Sequence, residues 1–252
     1  HYMPRFSDQV AVISGGADGL GKGIATRILA EGGKVALFDM NEFMLSKTLD
    51  EFKQQGFAAE GFVVDVSSER DVADGVSAVE AIWGRIDVMV NCAGIVGPSD
   101  VPITGYEPAD FDKVYQVNLR GSFLMTRSVI GVMEKQRYGR ILLLASMAGK
   151  EGNPFMVGYS AMKAGVIGLV KSVGKEYAES GITVNGLAPA VIQTAMNAST
   201  APAQLARLKE KIPMKRLGTV EEVAAMACWI VSPEATFTTG FTYDLSGGRA
   251  TY

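Results

Sequence analysis

Short runs of apolar residues alternate along the chain with longer stretches in which apolar positions recur every three or four residues. That alternation predicts a parallel sheet covered by helices on both faces. Strands are expected near 9–14, 34–39, 60–65, 86–91, 139–145, 182–187 and 240–245, and helices over 19–31, 41–55, 68–82, 109–135, 157–179 and 219–231. Val10-Ala11-Val12-Ile13 and Ile141-Leu142-Leu143-Leu144 are near-continuous apolar runs, as strands buried on both faces require. The expected class is α/β: a single domain over 1–252 with a doubly wound, seven-stranded parallel sheet. Residues 190–218 break the rhythm with Pro202, Pro213 and Gly218; the segment is long for a plain connection and reads as a partly helical substrate lid.

The first strand runs into Ser14-Gly15-Gly16-Ala17-Asp18-Gly19-Leu20-Gly21 and then an amphipathic helix. Glycines there let backbone N–H groups approach a pyrophosphate at the helix N-terminus, where the dipole favours negative charge. A turn that merely needs positive φ would look similar. The second strand, however, ends at Asp39, about twenty residues on, where a carboxylate can accept hydrogen bonds from ribose hydroxyls, as in a Rossmann dinucleotide fold. Asp39 and Asp18, with Met40 following in place of an arginine, disfavour the extra phosphate of NADP, so the expected cofactor is NAD. An alternative role for Asp39 is to cap the helix starting at Asn41.

Composition narrows the chemistry. The 252 residues are 48% hydrophobic and 20% charged, close to ordinary globular usage. A formal charge of −3 with scattered Lys and Arg gives no footprint for nucleic acid. No apolar run approaches the roughly 18 residues that span a bilayer, so a soluble cytoplasmic protein without a membrane partner is expected. The two cysteines, Cys92 and Cys228, read as small core residues rather than a disulfide framework. The one histidine is His1, which with Tyr2 precedes the first methionine, Met3, and reads as added ahead of the natural start. Ser-His-Asp triads, Cys-His pairs and His-based zinc sites therefore lack their central residue, and no metal is expected.

What remains is Tyr, Lys, Ser, Asn and carboxylates. Ser146 follows the strand 139–145; Tyr159 comes thirteen residues later and Lys163 one helical turn after that, on the same helix face. A free phenol, with a pKa of about 10, is a poor base at neutrality, and a neighbouring ammonium favours its ionised form. Tyr159 could then take a proton from an alcohol while Ser146 holds the same oxygen and Lys163 also binds nicotinamide ribose hydroxyls.

With these motifs the sequence resembles the short-chain dehydrogenase/reductase family over essentially its whole length. Ser14 to Gly21 is similar to the family's Thr-Gly-x-x-x-Gly-x-Gly loop, with Ser14 for threonine. Asn91-Cys92-Ala93-Gly94 resembles its Asn-Asn-Ala-Gly turn. The resemblance implies that Ser146, Tyr159, Lys163 and Asn118 are catalytic, Asn118 through a water relay to the lysine. It implies cofactor contacts at Ser14, Gly15, Asp18, Gly19, Leu20, Gly21, Asp39, Met40, Asp65, Val66, Asn91, Ala93, Gly94, Tyr159, Lys163, Pro189, Ile192 and Thr194.

Substrate choice in such a fold resides in the loops and the lid. Met147-Ala148-Gly149-Lys150-Glu151-Gly152-Asn153-Pro154 looks similar to the loop of family members that oxidise sugar acids such as 2-keto-3-deoxy-L-fuconate or L-rhamnonate at C4. Lys150 and Arg249 are the candidates for the substrate carboxylate, Lys150 slightly ahead for proximity and Arg249 for its bidentate fork; solvated surface charge is the alternative for both. Asn153 and Gln193 are candidates for hydroxyls. Reduction of 3-oxoacyl carrier thioesters, a polyol dehydrogenase and a cofactor-sensing protein without turnover are the competing readings. Small and apolar residues on more than one face of the helices 109–135 and 157–179 predict a homotetramer, or failing that a dimer.

Overall fold

The computed structural model describes residues 4–194 and 202–252; residues 1–3, read as preceding the natural start, and residues 195–201, part of the expected lid, lie outside the described residues. Seven parallel strands form one sheet: β1 Val10–Ser14, β2 Lys34–Asp39, β3 Ala59–Val63, β4 Val88–Asn91, β5 Gly139–Leu144, β6 Ile182–Pro189 and β9 Thr242–Leu245. Their order is β3-β2-β1-β4-β5-β6-β9, so the chain winds outward from β1 in both directions. The reversal between β1 and β4 opens the crevice at the strand C-termini in which such sheets bind ligands.

Every β1 residue is buried, and side chains alternate between two cores: Val10 and Val12 on one face, Ala11 and Ile13 on the other. Helices α3 Glu69–Trp83 and α5 Gly121–Gln136 and part of α7 Val157–Glu176 cover the first. Helices α1 Gly19–Ala30, α2 Glu42–Gln54 and α9 Val220–Ile230 cover the second. Local chemistry sets the boundaries. Ser68 caps α3 by accepting from Asp71 N, Gly84 (φ 72°) ends it in the left-handed region, and Thr219 with Glu222 forms a capping box on α9.

Two features depart from the sequence expectation. The helix expected over 109–135 is three pieces: α4 Pro108–Val114, a π turn Tyr115–Arg120 and α5. Immediately after Ser146 there is a short helix, α6 Met147–Glu151, that periodicity over five residues cannot reveal. Where the lid was expected, β7 Ile192–Gln193 pairs in parallel with β8 Gly218–Thr219, and α8 Pro202–Glu210 lies between them in sequence.

Candidate active site

The turn from β1 to α1 is built by close backbone approach. A Cβ on Gly15 (φ 61°) would lie 2.9 Å from Ala93 N, and one on Gly21 would lie 2.1 Å from the Gly15 carbonyl oxygen. Gly19 (φ 55°) has no atom within 4 Å of that position, so the N-terminus of α1 opens onto free space. No acidic residue stands in its first turn to compete for the exposed N–H groups. Asp39 accepts from Ala17 N through Oδ2 (3.1 Å) and from Asn41 N through Oδ1 (2.9 Å), while Asn41 itself caps α2. Its carboxylate thus pins the glycine loop and keeps lone pairs for ribose hydroxyls. Asp18 and Met40 are exposed beside it, Leu20 is half-buried and Val66 buried. Asp65 accepts from Ser67 N and Oγ at 2.8 and 2.7 Å. An open helix N-terminus facing a paired but unsaturated carboxylate fits a dinucleotide with free ribose hydroxyls.

The strand ends converge on the same crevice. Asn118, in the π turn, clamps the loop after β4: its Oδ1 accepts from Ile95 N and its Nδ2 donates to Ile95 O, both at 2.8 Å. A Cβ on Gly94 would lie 3.3 Å from Asn118 Oδ1 and 3.7 Å from Lys163 Nζ, so three of the expected site residues meet at one point. Pro189 ends β6; Ile192 is buried on β7, and Thr194 follows it half-buried.

Ser146 extends from β5 with φ −166° and caps α6 by accepting from Ala148 N at 3.1 Å. Tyr159 and Lys163 project from α7, with Lys163 Nζ 5.7 Å from the Tyr159 ring centroid. Gly149 brings the two helices together, since a Cβ there would fall 2.6 Å from the Lys163 carbonyl carbon. Lys163 is buried and donates to the Leu144 carbonyl at 2.6 Å; desolvation lowers it to about 8. Burial raises the Tyr159 phenol above its ordinary value, and its hydrogen bond with Ser146 pulls it part of the way back. Burial likewise holds the Cys92 thiol up at about 12, too high for a thiolate nucleophile. Among the described residues no group of His, Cys, Asp and Glu could hold a metal ion.

On the substrate side the C-terminal residues fold back over the α6 loop of their own chain. Lys150 Nζ bonds to the Tyr252 main-chain carbonyl and lies 3.7 Å from Asp244 Oδ2. Arg249 places Nε and Nη2 on Glu151 Oε2 at 2.9 and 2.6 Å, and Nη2 lies 3.3 Å from Asn153 Oδ1. Asn153 N in turn bonds Ser160 Oγ, next to Tyr159 (3.0 Å). Gln193 is exposed on β7. Sequence reasoning missed Gly149, Glu151, Asp244 and Ser122; only Gly149, three residues after the serine, offered a local signal.

Residues 15–250 match the family model described as enoyl-(acyl carrier protein) reductase. A 2-dehydro-3-deoxy-L-rhamnonate dehydrogenase (NAD(+)) of Sphingomonas sp. (strain SKA58) is 44% identical over 251 residues, covering 100% of this chain and 99% of that protein. A 3-oxoacyl-[acyl-carrier-protein] reductase of Buchnera aphidicola subsp. Baizongia pistaciae is 33% identical and covers 97% and 98%. Among solved structures, that of gox2181 superposes with a TM-score of 0.94 at 29% identity, covering 98% and 97%.

Proposed function

The chain belongs to the short-chain dehydrogenase/reductase family, and from that premise we propose that it oxidises a secondary alcohol of a sugar acid, of the 2-keto-3-deoxy-L-sugar-acid type, with NAD. The observation that carries the chemistry is the contact at Gly149, which sets Ser146 against Tyr159 above the buried Lys163. Tyr159 receives the hydroxyl proton as the C–H bond breaks, and Ser146 Oγ holds the same oxygen. Lys163 supplies positive charge, and Asn118 keeps the loop 93–95 in place. When bound, NAD supplies the hydride acceptor and a positive ring that favours the phenolate. The residues that would hold it are those of the glycine loop, Asp39, Asp65, Lys163 and Thr194.

The sugar-acid reading draws on the 44% identical relative and on the two cations where the C-terminal residues meet the α6 loop, Lys150 and Arg249. Arg249 is the better supported for a carboxylate: it touches Asn153, which is tied to the neighbour of Tyr159, whereas Lys150 is turned toward Asp244 on β9. Either cation sits in an ion pair that substrate would have to share. Asp39 argues against the thioester reductase reading, because that biosynthetic chemistry draws on NADPH. We also assign the protein to the cytoplasm, where its two free cysteines stay reduced, and to a homotetramer. Among the described residues no helix is long and apolar enough to cross a membrane.

The test is a panel of 2-keto-3-deoxy sugar acids, neutral polyols and 3-oxoacyl thioesters, each with NAD(H) and NADP(H). Turnover of the acids with NAD is expected. Preference for thioesters with NADPH would overturn the proposal. Within the panel, Arg249→Ala should lower kcat/KM about ten- to a hundredfold on the acid, the loss of one charge-assisted pair, and leave a neutral analogue almost unchanged. Equal losses on both would remove the basis for carboxylate recognition at Arg249.

A further inference from the structure

A chain of buried hydrogen bonds runs from the glycine loop to the π turn. Ala93 N donates to Ser14 Oγ (3.2 Å), Ser14 Oγ lies 2.5 Å from Asn91 Oδ1, Asn91 Nδ2 donates to Ser122 Oγ (2.9 Å), and Ser122 Oγ donates to the Asn118 main-chain carbonyl (2.6 Å). The three side chains involved, Ser14, Asn91 and Ser122, are at most 2% exposed. The two ends fix its polarity. An amide N–H can only donate and a carbonyl can only accept, so each hydroxyl must pass its proton in the direction of Asn118, and Asn91 has one consistent orientation. Each side chain along it both donates and accepts, and a buried network whose members are paired in this way is rigid.

Ser122 is the link that joins the sheet to the π turn. Backbone N–H of Gly121 reaches back to Gln116 there, in the wider register of such turns. A hydroxyl bonded four residues back bends a helix locally. Thr126 makes the same type of bond to the Ser122 carbonyl at 2.7 Å one turn later, equally buried but linked neither to Asn91 nor to Asn118.

We propose that Ser122 is a positioning residue for hydride transfer: its hydroxyl ties the Asn118 turn to Asn91 and the glycine loop, so that the Asn118 clamp holds the loop 93–95 against Lys163. This rests on reading the Ser146, Tyr159 and Lys163 crevice as the site of hydride transfer. Removal of the hydroxyl strands the Asn91 amide and one bond to the Asn118 carbonyl, and the clamp loosens. Without any cofactor, the Ile95 amide, which donates to Asn118 Oδ1, then exchanges with solvent more freely.

The experiment compares Ser122→Ala, Ser122→Thr and Thr126→Ala. In the protein without added cofactor, hydrogen exchange at Ile95 should rise about tenfold in Ser122→Ala and stay at the parent rate in Thr126→Ala. With NAD and 2-keto-3-deoxy-L-rhamnonate, kcat should fall about tenfold in Ser122→Ala and the rising limb of its pH profile should move, while Thr126→Ala lowers only the melting temperature. Ser122→Thr, which keeps the hydroxyl, should restore the profile. If Ser122→Ala does not fold, Ser122→Cys, a weak donor, stands in under the same criteria. Equal effects of the Ser122 and Thr126 variants, or unchanged Ile95 exchange in the Ser122 variant, would overturn the proposal. Should Tyr159→Phe retain turnover, the reading of the crevice fails instead; an inert Tyr159→Phe beside an unaffected Ser122→Ala sinks the Ser122 role alone.

Discussion

Burial holds Lys163 at about 8 because its ammonium loses water and the bond to the Leu144 carbonyl does not make up the loss. The folded pKa is depressed below that of the unfolded chain, so between pH 8 and about 10.5 the unfolded state binds more protons and stability rises with pH. Below pH 8 the whole cost is present, at most about 3 kcal/mol. Lys163→Met, which removes the charge but orphans one carbonyl, should therefore raise the melting temperature at pH 7 by a few degrees while abolishing turnover. The gain should vanish near pH 10.5; a gain of the same size at both pH values would contradict the burial argument. Tyr159 answers to the same physics from the other side. Its raised pKa leaves it protonated at neutrality in the free protein, so oxidation should accelerate above pH 7. Tyr159→Phe should abolish turnover yet leave NAD titration almost unchanged. At Asp39 the carboxylate serves loop and ligand together, so Asp39→Ala should weaken NAD and narrow the NAD/NADP preference about tenfold by relieving repulsion of the 2′-phosphate. Steady-state kinetics with both cofactors measure it, and an unchanged ratio would count against Asp39 as the discriminating group.

Elements, rather than single residues, set the distance between Ser146 and Tyr159. The α6 backbone rests on that of α7 at Gly149, with 2.6 and 2.8 Å between its missing Cβ and the Lys163 carbonyl carbon and Ala164 N. Backbone atoms on both sides cannot swing aside as side chains do. Gly149→Ala should push α6 off α7 and lower kcat/KM at least about tenfold with a smaller change in NAD affinity; parent-like kinetics would show that Ser146 is placed by something else. How far the sequence reveals such elements depends on length and period. The strands and long helices were legible because their apolar repeats persist for a whole element. The π turn was hidden, since Val114, Val117, Leu124 and Met125 continue the helical spacing across it and only the hydroxyls of Ser122 and Thr126 hint at the distortion. Helix α6 was too short to show a period. The ion-pair partners of Arg249 and Lys150 were invisible for another reason: Arg249 and Glu151 are 98 residues apart in sequence, and Lys150 and Asp244 meet only after β9 joins the sheet edge. Ser146, Tyr159 and Lys163 could be read because one serine and one helix turn carry them.

At the scale of the molecule, the described surface shows two aromatic groups that the fold does not bury. One lies on α4, the π turn and α5: Phe111, Tyr115 and Phe123, 37–45% exposed. The other surrounds the edge strand β9: Trp229 at 39%, Phe241 at 56% and Phe237 at 105%, with Tyr243 packed edge-on against both Trp229 and Phe241. An edge strand beside bare aromatic rings invites association unless something covers it. A closed tetramer with three perpendicular two-fold axes needs more than one self-complementary patch, because a single isologous patch is consumed by dimer formation. Two separate patches meet that requirement; the sequence expectation put association on the helices 109–135 and 157–179, and the first patch falls on the former. If the proposed tetramer forms in this way, Phe123→Glu and Phe237→Asp should each give a dimer, and the double substitution should give monomers. Light scattering at micromolar concentration reads the mass directly. If either single substitution gave monomers at once, the molecule would be using one interface, and if the unaltered chain were a monomer, the aromatic groups would have to meet a different partner.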